Sequence, residues 1–217
     1  MYTEKCVFVL PTYNTFEKQI KNNKFSNVCE VLDNLISSIE KKLSSPTEII
    51  LINDGSTDRT KEELEKLLKR RGKKIKEMNL KLTLIEHVEA DRVGLNNAVV
   101  HGYTEALKRK PSYIIKIDTD GEHDPRSFPK LIETIRKTKD TKFVSGGPQD
   151  AVAGSGFGFR IIEYEALKSI IEELEAFTIK RWNETDGKRE KQRGIDRITK
   201  RLIEEKYPDD WEYTHLR

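Results

Sequence analysis

Cysteine is scarce in this sequence, since Cys6 and Cys29 are the only two in 217 residues. A chain of this length with two cysteines does not depend on a disulfide framework, and a reducing, cytoplasmic compartment is the default expectation. Only four histidines occur and no Cys-x-x-Cys pair is present, which argues against a structural zinc site. Cys6 lies in an apolar run and is expected to be a buried thiol.

Long apolar runs are absent as well. No stretch approaches the roughly 20 residues needed to cross a bilayer, and the N-terminal apolar run stops at Pro11, too early for a signal-peptide core. The 40 Lys and Arg residues nearly balance the 37 Asp and Glu residues, which does not favour nucleic-acid binding. We therefore expect a cytoplasmic protein without a membrane-spanning segment, with peripheral attachment to a membrane surface as the alternative and the oligomeric state open.

Short apolar runs alternate with helical patterns over the first two thirds of the chain. Strands are predicted at 5–10, 48–52, 80–85, 113–117 and 143–145, and helices at 28–43, 57–71, 95–107 and 128–135. This succession predicts one α/β domain with a mostly parallel sheet and helices on both faces. Further on, we expect a mobile or tightly turned glycine-rich segment at 146–158 and helices at 161–177 and 195–206, whereas the C-terminal end shows no clear period.

Polar residues follow the strands, where parallel sheets bind their ligands. Pro-Thr-Tyr-Asn at 11–14 suits either a base-and-ribose pocket or a plain turn. Asp54, next to Asn53, can accept a hydrogen bond from a base, whereas the residues at 56–58 suit a helix cap. Arg92 can face a phosphate or pair with a carboxylate.

The strongest chemical signal is Asp-Thr-Asp-Gly-Glu-His-Asp-Pro at 118–125, after the fourth predicted strand. In an extended segment Asp118 and Asp120 point the same way, and Glu122 continues that face. Converging carboxylates repel one another unless a cation lies among them. Mg²⁺ and Mn²⁺ favour oxygen and phosphate ligands, so these three residues are predicted to bind Mn²⁺ or Mg²⁺, with a solvated acidic loop as the alternative.

Taken in order, PTYN, NDGSTD, RVGLNNA, DTDGEHDP and GFGFRIIEYEAL resemble the family 2 glycosyltransferases of the GT-A fold, especially the dolichol-phosphate-mannose-synthase-like group. The resemblance covers about residues 5–170. It implies a three-layer α/β/α sandwich that transfers a sugar, with inversion and a divalent metal, from a nucleotide-diphosphate sugar such as a UDP- or GDP-sugar. The acceptor is left open among a glycan, a lipid phosphate and a protein.

The resemblance also implies roles for individual residues, within a single domain over 1–217 that has a nucleotide-sugar half at 1–125 and an acceptor half at 126–217. It implies nucleotide-sugar contacts for Pro11, Thr12, Tyr13, Asn53, Asp54, Arg92, Asp118 and Arg160, and metal ligation for Asp118, Asp120 and Glu122. Asp196 is the candidate catalytic base, with Glu184 and Asp186 as rivals. His215 is either a further metal or phosphate ligand or a tail residue.

Two departures from the family pattern keep other functions open. Asn53 replaces the first of two usual aspartates, and Ile195 replaces the glutamate expected before Asp196. A nucleotide-sugar-binding domain without transfer activity fits both departures. A phosphatase of the haloacid-dehalogenase kind would use Asp118 as its nucleophile, but the mid-chain position of the motif and Glu122 argue against it.

Overall fold

The computed structural model describes residues 3–16, 27–44, 46–88, 93–137, 140–147, 158–185, 188 and 194–216. Within these residues the strands are β1 Cys6–Thr12, β2 Thr47–Asp54, β3 Leu80–His87, β4 Tyr113–Lys116, β5 Phe143–Gly147, β6 Phe159–Glu163 and β7 Trp211–His215. The helices are α1 Val28–Lys42, α2 Thr60–Glu77, α3 Gly94–Leu107, α4 Phe128–Ile135, α5 Tyr164–Glu184 and α6 Ile195–Lys206. A single 3₁₀ turn at Pro125–Ser127 precedes α4.

All seven described strands form one sheet, in the order β3-β2-β1-β4-β6-β5-β7. The first four strands in this order are parallel, β6 runs antiparallel to both of its neighbours, and β7 is parallel to β5. The predicted α/β fold with a mostly parallel sheet is therefore confirmed. Because β6 is reversed, its first residues lie beside the carboxyl end of β4, with Arg160 directly opposite Lys116.

Helices cover both faces of the sheet because the strand residues alternate between two buried faces. On one face, side chains such as Phe8 and Leu51 pack against α1, α2 and α4. On the other, side chains such as Val9 and Ile52 pack against α3, α5 and α6. Each fully buried side chain of this kind contributes about 1.5–3 kcal/mol to folding. The helices thereby hold the carboxyl edge of the parallel strands in place.

One prediction for the last third of the chain is wrong. The helix predicted from residue 161 begins only at Tyr164, because residues 159–163 form β6 between β4 and β5. The short apolar run at 159–163 is compatible with either a buried strand or a helix. The C-terminal end, whose sequence shows no clear period, forms β7 because it pairs with β5. None of the helices in the described residues is both long enough and apolar enough to cross a membrane.

The Cys6 thiol is fully buried, as predicted, and its burial raises its pKa to about 12. Burial also raises the pKa of the half-buried Cys29 to about 11. At pH 8 a thiol with the higher pKa is ionised in about one molecule in 10⁴, and the thiolate is the reactive form. We expect iodoacetamide at pH 8 to modify Cys6 more slowly than Cys29 in the folded protein, and both rapidly in urea, as measured by peptide mass spectrometry. Rapid labelling of Cys6 in the folded state would contradict this burial.

Candidate active site

The turn after β1 is tied to the turn after β2 by Asn14. Its backbone N–H donates to Ser56 Oγ at 3.0 Å, and its Oδ1 accepts from Thr57 N at 2.7 Å. The prediction that Ser56 or Thr57 caps the next helix is wrong, because α2 begins only at Thr60. Asp58 does bind the start of α2, since its Oδ1 accepts a hydrogen bond from Thr60 N at 2.9 Å.

The predicted nucleotide residues at the end of β1 and directly after it lie at this same edge of the sheet. Pro11 and Thr12 are buried, and Tyr13 is half-buried. The Thr12 hydroxyl lies 2.6 Å from the Thr15 hydroxyl. Thr119 Oγ1 donates to the Pro11 carbonyl at 2.8 Å and so joins this turn to the acidic segment after β4. The Pro-Thr-Tyr-Asn and Asp-Thr-Asp motifs are therefore neighbours in space.

Asn53 and Asp54 are both about 3 % exposed, and protein groups already engage their side-chain oxygens. Asn53 Oδ1 accepts from Ser56 Oγ at 2.5 Å. Asp54 accepts from Val93 N at 2.9 Å and from Gly94 N at 2.8 Å, at the positive end of α3. The contact of either residue with a base stays a prediction, whereas the observed role of Asp54 is to anchor the start of α3.

Two histidines that the sequence analysis did not single out extend this contact. His87 Nδ1 lies 2.9 Å from Asp54 Oδ1, and His87 Nε2 lies 3.1 Å from His101 Nδ1. Burial, together with the neighbouring His87, lowers the pKa of His101, which favours its neutral form. The position of His87 at the end of the third predicted strand was an available signal, but nothing in the sequence placed His101 beside it.

The acidic segment after β4 is less regular than predicted. The strand ends at Lys116 and the chain bends, with Gly121 at φ 80°, so strand alternation does not extend to Glu122. Asp118 and Asp120 are half-buried, whereas Glu122 is exposed. Asp120 Oδ1 accepts from Glu122 N at 3.2 Å. In the described part of the chain, no three His, Cys, Asp or Glu side chains form a group that could hold a metal ion.

Two carboxylates at this edge still fit a divalent ion of the Mg²⁺ type. Such an ion keeps several waters and is commonly held by one or two carboxylates plus substrate phosphates. Asp118 and Asp120 supply oxygen donors of the required kind at a strand end. Glu122 ligation stays a prediction, although the alternation used to support it does not hold.

Beneath Asp118 lies a buried pair of cations, Lys116 and Arg160, which are 0 % and 1 % exposed. Lys116 Nζ lies 2.5 Å from Asp118 Oδ1 and 3.1 Å from Asp196 Oδ1. Arg160 also pairs with the Asp196 carboxylate, and its Nη1 donates to the Asp196 carbonyl at 3.2 Å. Burial lowers the pKa of Lys116 below its usual value, and the nearby Asp118 offsets only part of this effect.

The start of α6 carries Asp196 into the site. The Ile195 N–H donates to Oδ1 of the fully buried Asn96 at 3.2 Å, which joins α6 to α3. Asp196 is therefore brought within reach of the same ammonium group as Asp118, although 77 residues separate them. Lys116 was missed in the sequence, and its signal was a lone lysine in the apolar run Tyr-Ile-Ile-Lys-Ile.

The remaining predicted residues either lie elsewhere in the fold, contact other protein groups, or fall outside the described part of the chain. Glu184 is exposed at the end of α5 and lines a separate cleft of about 380 Å³ between α5 and α6. Arg92, Asp186 and the segment 148–157 lie outside the described residues. His215 belongs to β7, and its side chain lies outside the described part. Arg160 is buried and contacts Asp196, and its contact with a phosphate stays a prediction.

Comparison with known proteins shows which family the chain matches. The model of the family described as "Glycosyl transferase family 2" matches residues 8–199. A dolichol-phosphate mannosyltransferase of Pyrococcus furiosus is 29 % identical over 148 residues, which are 66 % of this chain and 34 % of that protein. The chain thus spans about a third of the length of this curated relative, and 41 % of a similar yeast mannosyltransferase is covered.

Solved structures share the fold at low sequence identity. The glucosyl-3-phosphoglycerate synthase of M. tuberculosis superposes with a TM-score of 0.60 at 14 % identity, over 99 % of this chain and 72 % of that one. The mannosyltransferase PcManGT from Pyrobaculum calidifontis was solved with GDP-Man and Mn²⁺. It superposes with a TM-score of 0.54 at 20 % identity, over 78 % of this chain and 47 % of that one. The predicted GT-A sandwich is thereby confirmed.

Proposed function

Because the chain belongs to glycosyl transferase family 2, we propose that it transfers a sugar from a nucleotide-diphosphate sugar to an acceptor, with inversion and with help from Mn²⁺ or Mg²⁺. The observation that carries the proposal is the meeting of Asp118 and Asp196 on one ammonium group at the carboxyl edge of the sheet, where Asp120 follows in the same acidic segment and the turn after β1 is joined to it. The resemblance to the family implies a donor such as a UDP- or GDP-sugar. The mannosyltransferase relatives make GDP-mannose the first donor to test.

The donor half of the site is assigned to residues 1–125. Pro11, Thr12 and Tyr13 border the nucleotide, and Asn53 and Asp54 hold the neighbouring turn and α3 in place for it. Asp120, with Asp118, would hold the divalent ion on the diphosphate. When bound, that ion would stabilise the charge that develops on the leaving phosphate oxygens.

The acceptor half is assigned to residues 126–217, where Asp196 faces the site from α6. In an inverting transfer the acceptor oxygen forms a bond to the anomeric carbon as the bond to the diphosphate oxygen breaks. When the acceptor is a hydroxyl, the Asp196 carboxylate accepts its proton. A lipid-phosphate acceptor is already anionic and requires no base. The printed name of the Pyrococcus relative makes a lipid phosphate the first acceptor to test, before a glycan or a protein.

Nucleotide-sugar binding can be tested before any acceptor is known. We expect the melting temperature to rise with GDP-mannose or a UDP-sugar in the presence of Mn²⁺, since a ligand at 100 times its Kd stabilises the folded state by about 2.7 kcal/mol. The shift is expected to vanish in Asp120→Ala and to remain in Glu172→Ala, an exposed acidic residue on α5. No shift with any nucleotide sugar at millimolar concentration would refute the proposal.

The competing function is nucleotide-sugar binding without transfer, which Asn53 and Ile195 favour. Donor turnover in the presence of a polyprenyl phosphate, followed by release of nucleoside diphosphate, distinguishes the two. Turnover that depends on the added acceptor excludes the binding-only function. Saturable donor binding without turnover on any of the three acceptor classes would favour it.

A further inference from the structure

Lys116 carries a buried ammonium group on β4, the middle strand of the sheet. Its strand neighbours Ile114, Ile115 and Ile117 are fully buried apolar residues. The directly opposed residue on β6 is Arg160, so two buried cations face each other on adjacent strands. Like charges in this position are destabilising, and an apolar side chain at 116 would avoid that cost. The placement therefore requires a compensating interaction.

Two carboxylates provide it: Asp118 is two residues away along the chain, and Asp196 is 80 residues away. The Lys116 ammonium contacts Asp118 at 2.5 Å and Asp196 at 3.1 Å. The Lys116 side chain is 0 % exposed, whereas those of Asp118 and Asp196 are 22 % and 17 % exposed. The cation thus lies below the floor of the site, and the carboxylates that it holds reach the surface where a substrate would bind.

The formal charges of Lys116, Arg160, Asp118 and Asp196 sum to zero. Lys116 and Arg160 contribute two positive charges, and Asp118 and Asp196 contribute two negative ones. Removing one member of a buried ion pair leaves an uncompensated charge and is strongly destabilising, whereas removing both partners is often neutral. The arrangement therefore makes a specific prediction about single and double variants.

We propose that Lys116 is a positioning residue whose buried ammonium group holds Asp118 and Asp196 in one fixed arrangement across the site. It acts through these carboxylates and does not touch the substrate. The inference rests on the proposed function, because Asp118 serves the donor side of that reaction and Asp196 its acceptor side. The Lys116 contacts would link the donor side of the site physically to its acceptor side.

The test compares the wild type with Lys116→Met, Asp196→Asn and the double variant. Methionine keeps the approximate length of lysine without its charge. We expect each single change to lower the melting temperature by about 5 °C or more, and the double variant to recover at least half of the summed loss. Lys81→Met is the control, because Lys81 is 66 % exposed and only pairs with Glu48 at the sheet edge. Losses that simply add would overturn the pairing.

Kinetics separate positioning from mere stability. At a temperature where all four proteins are folded, each single variant is expected to lose about 100-fold in kcat with less than about a threefold change in donor KM. The double variant should be no slower than the slower single variant, because both changes remove one shared contact. A folded Lys116→Met protein with kcat within about threefold of the wild type would overturn the proposal. If the wild type turns over no donor, the proposed function fails and the catalytic role falls with it, whereas the melting temperatures still decide the pairing.

Discussion

Replacing Asp120 by alanine is expected to lower the sugar-transfer rate about 10³-fold. Asp120 is the proposed carboxylate ligand of the divalent ion, and such an ion supplies several kcal/mol of transition-state stabilisation, with each 1.36 kcal/mol worth a factor of ten. Its position in a bend after β4, half-buried and bonded to Glu122 N, gives it little part in the core. The measurement is kcat with a saturating nucleotide sugar over a series of Mn²⁺ concentrations, together with the melting temperature.

The control for this change is Glu172→Ala, which removes an exposed carboxylate of α5 far along the chain from the acidic segment. It is expected to leave both the rate and its Mn²⁺ dependence unchanged. An Asp120→Ala protein that transfers sugar at the wild-type rate, with the same Mn²⁺ dependence, would remove Asp120 from the metal site.

Replacing Gly158 by alanine is expected to cost about 100-fold in transfer rate. A Cβ atom built on Gly158 would overlap the Oδ2 and Cγ atoms of Asp118, so either the carboxylate or the start of β6 must move. Asp118 N also donates to the Gly158 carbonyl at 3.2 Å, which limits how far the two segments can separate. A misplacement of about 1 Å at a reacting group can cost about 10²-fold.

Gly72→Ala is the matched control because the same substitution meets no atom within 4 Å in the middle of α2. There the alanine is expected to stabilise the protein by about 0.5–1 kcal/mol, since glycine is a poor helix former. The two substitutions are therefore expected to change the free energy of unfolding, measured with urea, in opposite directions. The loss in kcat is expected to be large only for Gly158→Ala. A Gly158→Ala protein with wild-type kcat would show that Asp118 does not need its observed position.

Several features of the site were predictable from the sequence because they depend on local chemistry. Apolar runs followed by polar residues located the ends of β1, β2 and β4, and hence the position of Asp54, Asp118 and Asp120 at one edge of the sheet. The ordered motifs pointed to the family that the comparison then showed. Periodicity failed where an element depends on a partner, as for β6, whose apolar residues are compatible with either a strand or a helix.

The side-chain partners could not be predicted in this way. The contact of Lys116 with Asp196 spans 80 residues, and that of His87 with Asp54 spans 33. Asp54 looked available to a base because nothing in its own segment accounted for it. The observed donors, Val93 N and Gly94 N, come from the start of α3, which follows the next strand, β3. Spacing within a motif carries no information about such partners.

The sequence by itself determined the α/β succession, the buried strands and the acidic, polar edge, since each follows from hydrophobic patterning and strand alternation within a few residues. Only the tertiary structure decided that β6 is reversed, that the C-terminal end adds β7, and that α6 delivers Asp196 to Lys116. Those outcomes depend on which distant segments bury each other's surfaces and pair their charges. That competition among long-range contacts is settled only when the whole chain is packed.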